Sequence, residues 1–156
     1  MARQSIEKSP ETGTRLLSGS QRTWTMADEL MPFGPILVVD TRVAALRRTG
    51  ELLRRAGHDV IEACSFVDGK RLLATRRPAL VVSSLRLAAF NGLHLVHLGR
   101  LAQPDLNAII VAPAADAVLQ AEAEQVGASL LVEPVPAAAL LSLISRMMTP
   151  VSPERS

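Results

Sequence analysis

The sequence predicts an α/β protein built on a doubly wound sheet of five parallel strands. Short apolar runs alternate with longer segments of helical period from Pro35 to about Met148. Such alternation joins parallel strands through right-handed helical crossovers. The strand segments are unbroken apolar runs without polar alternation, which is typical of a sheet covered by helices on both faces.

The five predicted strands are short and rich in Val, Ile, Leu and Ala. Each apolar run is bounded by turn-forming or helix-starting residues, as buried parallel strands require. The predicted strands comprise residues 36–39, 60–63, 80–83, 108–111 and 130–132.

The five predicted helices are recognised by an apolar face and by residues that start or stop a helix. Gly57 and Gly127 are expected to end two of them. Ser65 is expected to cap the start of another, and Pro136 to lie in the first turn of the last. The predicted helices comprise residues 42–56, 65–75, 92–102, 114–126 and a segment that begins near residue 136.

The composition limits the class of protein. Apolar residues make up 48% of the chain and charged residues 21%, which is typical of a folded globular protein. No apolar run is long enough for a membrane span, and no signal peptide is recognisable, so a cytoplasmic location is expected. The single cysteine, Cys64, fits a reducing compartment and is expected to be buried. Ala56 and Leu101 are also expected to face the core.

Three regions are predicted along the chain. Residues 1–33 are polar and show no sustained period, which predicts a flexible N-terminal tail. Residues 34–149 are predicted to form the folded domain, and residues 150–156 a short C-terminal tail. No helix-turn-helix segment follows this domain, so a stand-alone domain without direct DNA binding is expected.

Ligands of doubly wound sheets bind at the carboxyl ends of the strands. These ends therefore supply the candidate site residues. They are Asp40 and Thr41 after the first strand, Ser84 after the third, Ala112 after the fourth and Glu133 after the fifth.

Residues 35 to about 148 resemble the receiver domain of two-component response regulators. The resemblance rests on the apolar run that ends at Asp40, on the pair Asn91–Gly92 after the third strand, and on Pro134 after the fifth. It implies the CheY-like, flavodoxin-like (βα)5 fold with the strand order 2-1-3-4-5. It also implies a place in phosphorelay signal transduction.

The resemblance further implies that the phosphorylation pocket is degenerate. Of the acidic pair that helps to hold a metal ion, Asp40 is present but the second acid is Thr41. Ser84 replaces the phosphoacceptor aspartate, Ala112 replaces a hydroxyl residue, and Glu133 replaces a lysine. Carboxylates hold Mg²⁺, and cations stabilise a phosphoryl group in transfer. We therefore expect Mg²⁺ binding to be lost or weak, no other cofactor, and a non-enzymatic pseudo-receiver that acts through protein contacts.

The first helix offers one candidate surface for a protein partner. Residues 42–77 carry nine Lys or Arg residues against four acidic residues. Four arginines of the first helix recur seven apart on its outer side: Arg47, Arg48, Arg54 and Arg55. This surface is either a solvated basic face or a docking site for an acidic partner, such as a sensor histidine kinase or another regulator.

The last helix offers a second candidate surface. Leu141 and Met148 lie seven apart, beside the apolar stripe that is expected to face the core. They are either peripheral core residues or an exposed patch through which the chain forms a homodimer.

The residues leave other interpretations open. Asp40 and Glu133 either bind a metal ion together, are solvated, or accept hydrogen bonds from neighbouring hydroxyl groups. Ser84 lacks the nearby histidine and the glycine pattern of a hydrolase nucleophile. His94 and His97 are half of a metal site without an evident third ligand. A small-molecule or metal-binding domain, an enzyme on the same scaffold, and a receiver with a non-standard phosphoacceptor stay as alternatives.

Overall fold

The computed structural model describes residues 34–148. The two predicted tails, residues 1–33 and 150–156, lie outside the described residues, as does residue 149. Within the described part of the chain, no helix combines the length and the apolar composition that crossing a membrane would require.

Five parallel strands form the main sheet; four helices connect them, and a fifth follows the last strand. The strands of residues 34–148 are β1 (Ile36–Val39), β2 (Val60–Ala63), β3 (Leu80–Ser84), β4 (Arg86–Leu87), β5 (Phe90–Asn91), β6 (Asn107–Ala112) and β7 (Ala128–Val132). The helices are α1 (Val43–Arg55), α2 (Phe66–Arg76), α3 (Gly92–Ala102), α4 (Ala117–Gln125) and α5 (Ala137–Met148). The main sheet has the order β2-β1-β3-β6-β7, so the predicted fold class and strand order are confirmed.

Each face of the sheet carries its own apolar core. Leu37 and Val39 of β1 pack on the face that α2, α3 and α4 cover. Ile36 and Val38 pack on the opposite face, which α1 and α5 cover. Because successive residues of a strand point to opposite faces, only an unbroken apolar run can supply both cores.

Local residue chemistry sets the ends of the helices. Gly57 has a positive φ of 97° after α1. The N–H of Gly57 donates to the Arg54 carbonyl (2.9 Å) and that of His58 to the Leu53 carbonyl (3.1 Å), which is the Schellman arrangement. Before α2, the Ser65 hydroxyl accepts the N–H of Asp68 (3.1 Å), as the sequence predicts.

Three burial predictions were wrong. Ala56 is exposed because it is the C-cap of α1 and lies beyond its last helical residue. Cys64 is exposed because it lies between the end of β2 and the cap of α2. Leu101 is 68% exposed because the inward face of α3 passes through Val96 and Gly99, and Leu101 is two residues, or about 200°, further round the helix.

The start of α4 was also predicted wrongly. The helix begins at Ala117 and not at Ala114, because the Asp116 carboxylate accepts the N–H of Leu119 (2.9 Å) and caps the helix there.

The short antiparallel hairpin of β4 and β5 was not predicted. It pairs Arg86 with Asn91, and each of its strands is too short to show a period. Directly after it, Gly92 starts α3 against the end of β3, where any Cβ would collide with the Ser84 carbonyl oxygen. This close approach requires glycine and brings the start of α3 to the edge of the candidate site.

Candidate functional site

A cleft of about 580 Å³ opens at the carboxyl end of the sheet. Asp40, Ser84 and Glu133 line it from the ends of β1, β3 and β7. The sheet positions them because parallel strands place their carboxyl ends at one edge. The backbone N–H of Glu133 donates to the Ala112 carbonyl (2.8 Å), which extends the pairing of β6 and β7 by one residue.

The side chain of Arg42 bridges the two carboxylates of the cleft. Its Nε donates to Asp40 Oδ1 (3.1 Å) and its Nη2 to Asp40 Oδ2 (3.0 Å). The same Nη2 donates to Glu133 Oε2 (2.7 Å). The backbone N–H of Arg42 also donates to Asp40 Oδ1 (2.9 Å). One arginine, the residue just before α1, therefore joins the end of β1 to the end of β7.

The two carboxylates of this bridge stabilise the positive charge of Arg42. The hydrogen bond from Arg42 to Asp40, followed by that to Glu133, raises the pKa of the guanidinium above its ordinary range. Because this pKa is raised in the folded state, the guanidinium is charged at neutral pH and its contribution to stability is present there. The side chains of Arg42 and Glu133 are 53% and 31% exposed, so solvent screens their attraction.

The two carboxylates have a partner that the sequence-based alternatives did not include. Asp40 and Glu133 do not accept hydrogen bonds from Thr41 or Ser84 within residues 34–148, since the arginine is their partner. Ser83 is fully buried, and its hydroxyl donates to the Ser84 carbonyl (2.9 Å).

The nucleophile and metal alternatives find no support in the geometry. None of the three histidines lines the cleft with Ser84. His94 stacks on Phe66 instead, with ring centroids 5.6 Å apart. Among residues 34–148, no three His, Cys, Asp or Glu side chains converge in a way that would hold a metal ion.

Comparison with known proteins identifies the fold. No family model matches the sequence, and a search of curated proteins finds no match. Solved structures do match. A CheY-like response regulator receiver domain protein from Methanospirillum hungatei has a TM-score of 0.70 and 23% identity, over 74% of this chain and 94% of that one. The chemotaxis protein CheY4 of Vibrio cholerae has a TM-score of 0.69 and 19% identity, over 74% and 98%.

The chain has the CheY-like receiver fold. A third structure with this fold is a response regulator from Burkholderia pseudomallei with a phosphorylated aspartic acid, a calcium ion and citrate. It has a TM-score of 0.65 and 22% identity, over 70% of this chain and 65% of that one. The likeness extends over nearly the whole of the two smaller proteins and shows a shared architecture.

Two of the five candidate positions of the receiver fold lie away from the cleft. Ala112 does not line it, because β6 alternates and turns Ala112 to the face where Ala108 and Ile110 belong to the other core. Thr41 is half-buried and does not line it either. The receiver fold therefore brings together three of the predicted site residues.

The four arginines of α1 are all exposed, and they differ in their partners. Arg54 pairs with Glu62 (2.8 Å) and Arg55 with Glu51 (3.5 Å). Arg47 and Arg48 form no ion pair within residues 34–148. Arg48 lines the cleft, whereas Arg47 lies beside Arg54 in a separate shallow depression. The predicted basic surface is thus divided between two sides of the helix.

The last helix does not present the apolar patch that was considered. Met148 is only 8% exposed and belongs to the core beneath α1 and α5. Leu141 is half-buried and packs against the same core. Both residues are therefore part of the core or its periphery, and the alternative in which they form an exposed patch is wrong.

Sequence reasoning missed Arg42 as a site residue and counted it only within the basic stretch. One signal was available. The charge reversal at Glu133 places a second carboxylate opposite Asp40, and two such groups favour a nearby cation. Arg42 is the cation nearest to Asp40 in the sequence, two residues away.

Proposed function

We propose that this domain is a degenerate receiver, which works in signal transduction through protein contacts and is not phosphorylated at its cleft. The observation that carries the proposal is the bridge from Arg42 to Asp40 and Glu133. A guanidinium lies between the carboxylates where a receiver would need a metal ion and an open phosphoryl site. In this proposal the domain is not an enzyme, and it resides in the cytoplasm.

The residues of the cleft do not fit a divalent metal ion. Mg²⁺ prefers several oxygen ligands, with carboxylates among them. Asp40 is the carboxylate left at the expected metal positions, and both of its oxygens accept hydrogen bonds from Arg42. A metal ion at these oxygens would also lie against a guanidinium of the same charge sign. Lost or weak Mg²⁺ binding follows, so no step of the proposed function passes through a metal.

The cleft residues also disfavour phosphoryl transfer. Ser84 offers a hydroxyl, which cannot form the acyl phosphate of an aspartate. Enzymes stabilise the charge of a phosphoryl group in transfer with cations and positioned donors. Here the donors of Arg42 are directed to carboxylates, and the Glu133 carboxylate would repel the incoming oxygens. The Burkholderia protein carries its phosphoryl group on an aspartic acid, whereas residue 84 of this chain is a serine.

The proposed partner surface is the arginine-rich outer side of α1. The arginine side chains of this helix are exposed, and Glu51 is the one acidic residue within it. The partner is a sensor histidine kinase or another regulator with an acidic surface. The proposal includes a homodimer through the last helices. The exposed Val118 of α4 and Val132 of β7, which lie close to these helices in the chain, are its candidate apolar contacts.

Charge reversal on α1 tests the partner surface. We expect Arg47→Glu/Arg55→Glu to weaken binding to a purified sensor kinase from the same organism by at least about tenfold, because like charges then face each other. Biolayer interferometry measures the affinity. Neither residue lines the cleft, and the Arg55 pair with Glu51 is highly exposed, so the fold should be preserved.

The matched control is Lys70→Glu/Arg76→Glu, which reverses two exposed charges on α2. It should leave the affinity within about twofold. Equal losses for the two variants would show that general charge attraction drives binding, and would contradict docking through α1.

A further inference from the structure

Beneath its polar rim, the cleft is apolar. Val38, Val82 and Leu140 lie beneath it and belong to the closed core under α1 and α5. The apolar side chains that ligands can reach are the half-buried Leu52, Val111 and Val135. The volume of about 580 Å³ is within the range that small-molecule sites usually have. The proposed function uses only the rim, so this apolar space has no assigned role.

The rim sets the charge of what the cleft accepts. Asp40 and Glu133 are both engaged by Arg42, so these three groups offer little to a ligand. Arg48 also lines the cleft, and it forms no ion pair with any other residue between 34 and 148. Two carboxylates and two guanidinium groups give the rim no net formal charge. A ligand with one negative charge matches the single guanidinium of the rim that the two carboxylates do not engage, that of Arg48.

We propose that the cleft binds a small monocarboxylic acid with an apolar chain. The carboxylate pairs with the Arg48 guanidinium, a geometry that favours two parallel hydrogen bonds. The chain of about four to eight carbon atoms lies against the half-buried Leu52, Val111 and Val135. This inference is independent of the proposed function, since it requires neither phosphorylation nor a protein partner.

Chain length and head-group charge give the first test. The full chain is titrated with butanoate, hexanoate and octanoate, and the amide signals of Ala45, Val82 and Val135 are followed by ¹H–¹⁵N NMR. Each added methylene should tighten binding by up to about fourfold, and octanoate should bind at least about tenfold more tightly than butanoate. Hexanol and hexylammonium should bind more weakly than hexanoate because neither pairs with a guanidinium.

Two variants separate a specific ion pair between the ligand and Arg48 from a general attraction of the ligand to the positive charge of α1. Arg48→Gln should raise the Kd for hexanoate by at least about fivefold, because the ion pair is lost. The control Arg47→Gln removes an equal charge from the adjacent position of α1, outside the cleft, and should change the Kd by less than about twofold.

A third variant reduces the volume of the cleft. Ala45 is half-buried on the cleft side of α1, and Ala45→Leu adds three carbon atoms there. It should weaken octanoate binding by at least about tenfold while its melting temperature stays near that of the parent, which shows that the fold is kept. The proposal is overturned if the signals do not saturate, if hexanol binds as tightly as hexanoate, or if Arg47→Gln costs as much as Arg48→Gln.

Discussion

At the residue scale, one arginine links the carboxylates at the two ends of the cleft. Glu133 occupies the position where the receiver resemblance places a lysine, and the positive charge is on Arg42, at the start of α1. The distance from Arg42 Nη2 to Glu133 Oε2 is 2.7 Å, so these side chains link the ends of β1 and β7. The link depends on side chains and not on a phosphoryl group.

A double-mutant cycle measures this link. We expect Arg42→Ala and Glu133→Ala to couple by about 0.5–1 kcal/mol in the free energy of unfolding, since both side chains are partly exposed. Arg42→Ala alone should cost about 1–2 kcal/mol, because Asp40 is buried and loses two side-chain hydrogen bonds. Urea denaturation measures all four proteins.

The control cycle uses Glu51 and Arg55, whose oxygen and nitrogen lie 3.5 Å apart on the outside of α1. Their coupling should stay below about 0.5 kcal/mol, and high salt should reduce both couplings. If Arg42 and Glu133 couple no more strongly than this control pair, the bridge is not an ordered feature of the protein in solution.

The sequence predicts which residues meet at the cleft better than it predicts how they interact. Topology alone places Asp40, Ser84 and Glu133 at one edge of the sheet. The arginine bridge depends on a side-chain rotamer and on the turn between β1 and α1, and neither has a periodic signature. Ala112 was chosen for its place along the chain, but the alternation of β6 turns it to the opposite face.

At the element scale, the residue that ends α2 has an unfavourable backbone conformation. Arg77 is its C-cap and has a φ of 43°, in the left-handed region that glycine favours. Pro78 follows directly, so the helix cannot continue. The chain thus turns towards β3 at a residue with a Cβ atom.

Glycine at this position should stabilise the protein. Arg77→Gly is expected to raise the free energy of unfolding by about 0.5–1 kcal/mol, because glycine adopts a positive φ without steric cost. Arg76→Gly, one residue earlier and within α2, should lower it by about 0.5–1 kcal/mol. Thermal and urea unfolding give both values. A loss of stability in Arg77→Gly would show that its side chain contributes more than the backbone conformation costs.

Long elements with a clear apolar pattern were predictable, and short ones were not. The five sheet strands and five helices follow from runs and periods whose burial the sheet requires. The hairpin of β4 and β5 has two residues in each strand and cannot show a period. The start of α4 was misplaced because Ala114 and Ala115 favour a helix, whereas the Asp116 side chain fixes the cap.

At the scale of the whole molecule, the receiver fold of residues 34–148 surrounds the cleft. Both faces of the sheet are packed with fully buried Ile, Leu and Val side chains, whichever residues stand at the strand ends. The apolar cores that maintain the fold and the polar strand ends that perform chemistry are separate sets of residues. A sequence can therefore keep one set while the other changes.

The measurement that tests this account most directly is the intact mass of the protein after incubation with acetyl phosphate and Mg²⁺. If Arg42 engages both carboxylates of the cleft as the structure shows, the mass of the parent protein stays unchanged, with and without Mg²⁺. A phosphorylatable receiver domain treated in parallel should gain one phosphoryl group, which shows that the reagent is active. A Mg²⁺-dependent gain of one phosphoryl group on this protein, lost in Ser84→Ala, would contradict the account.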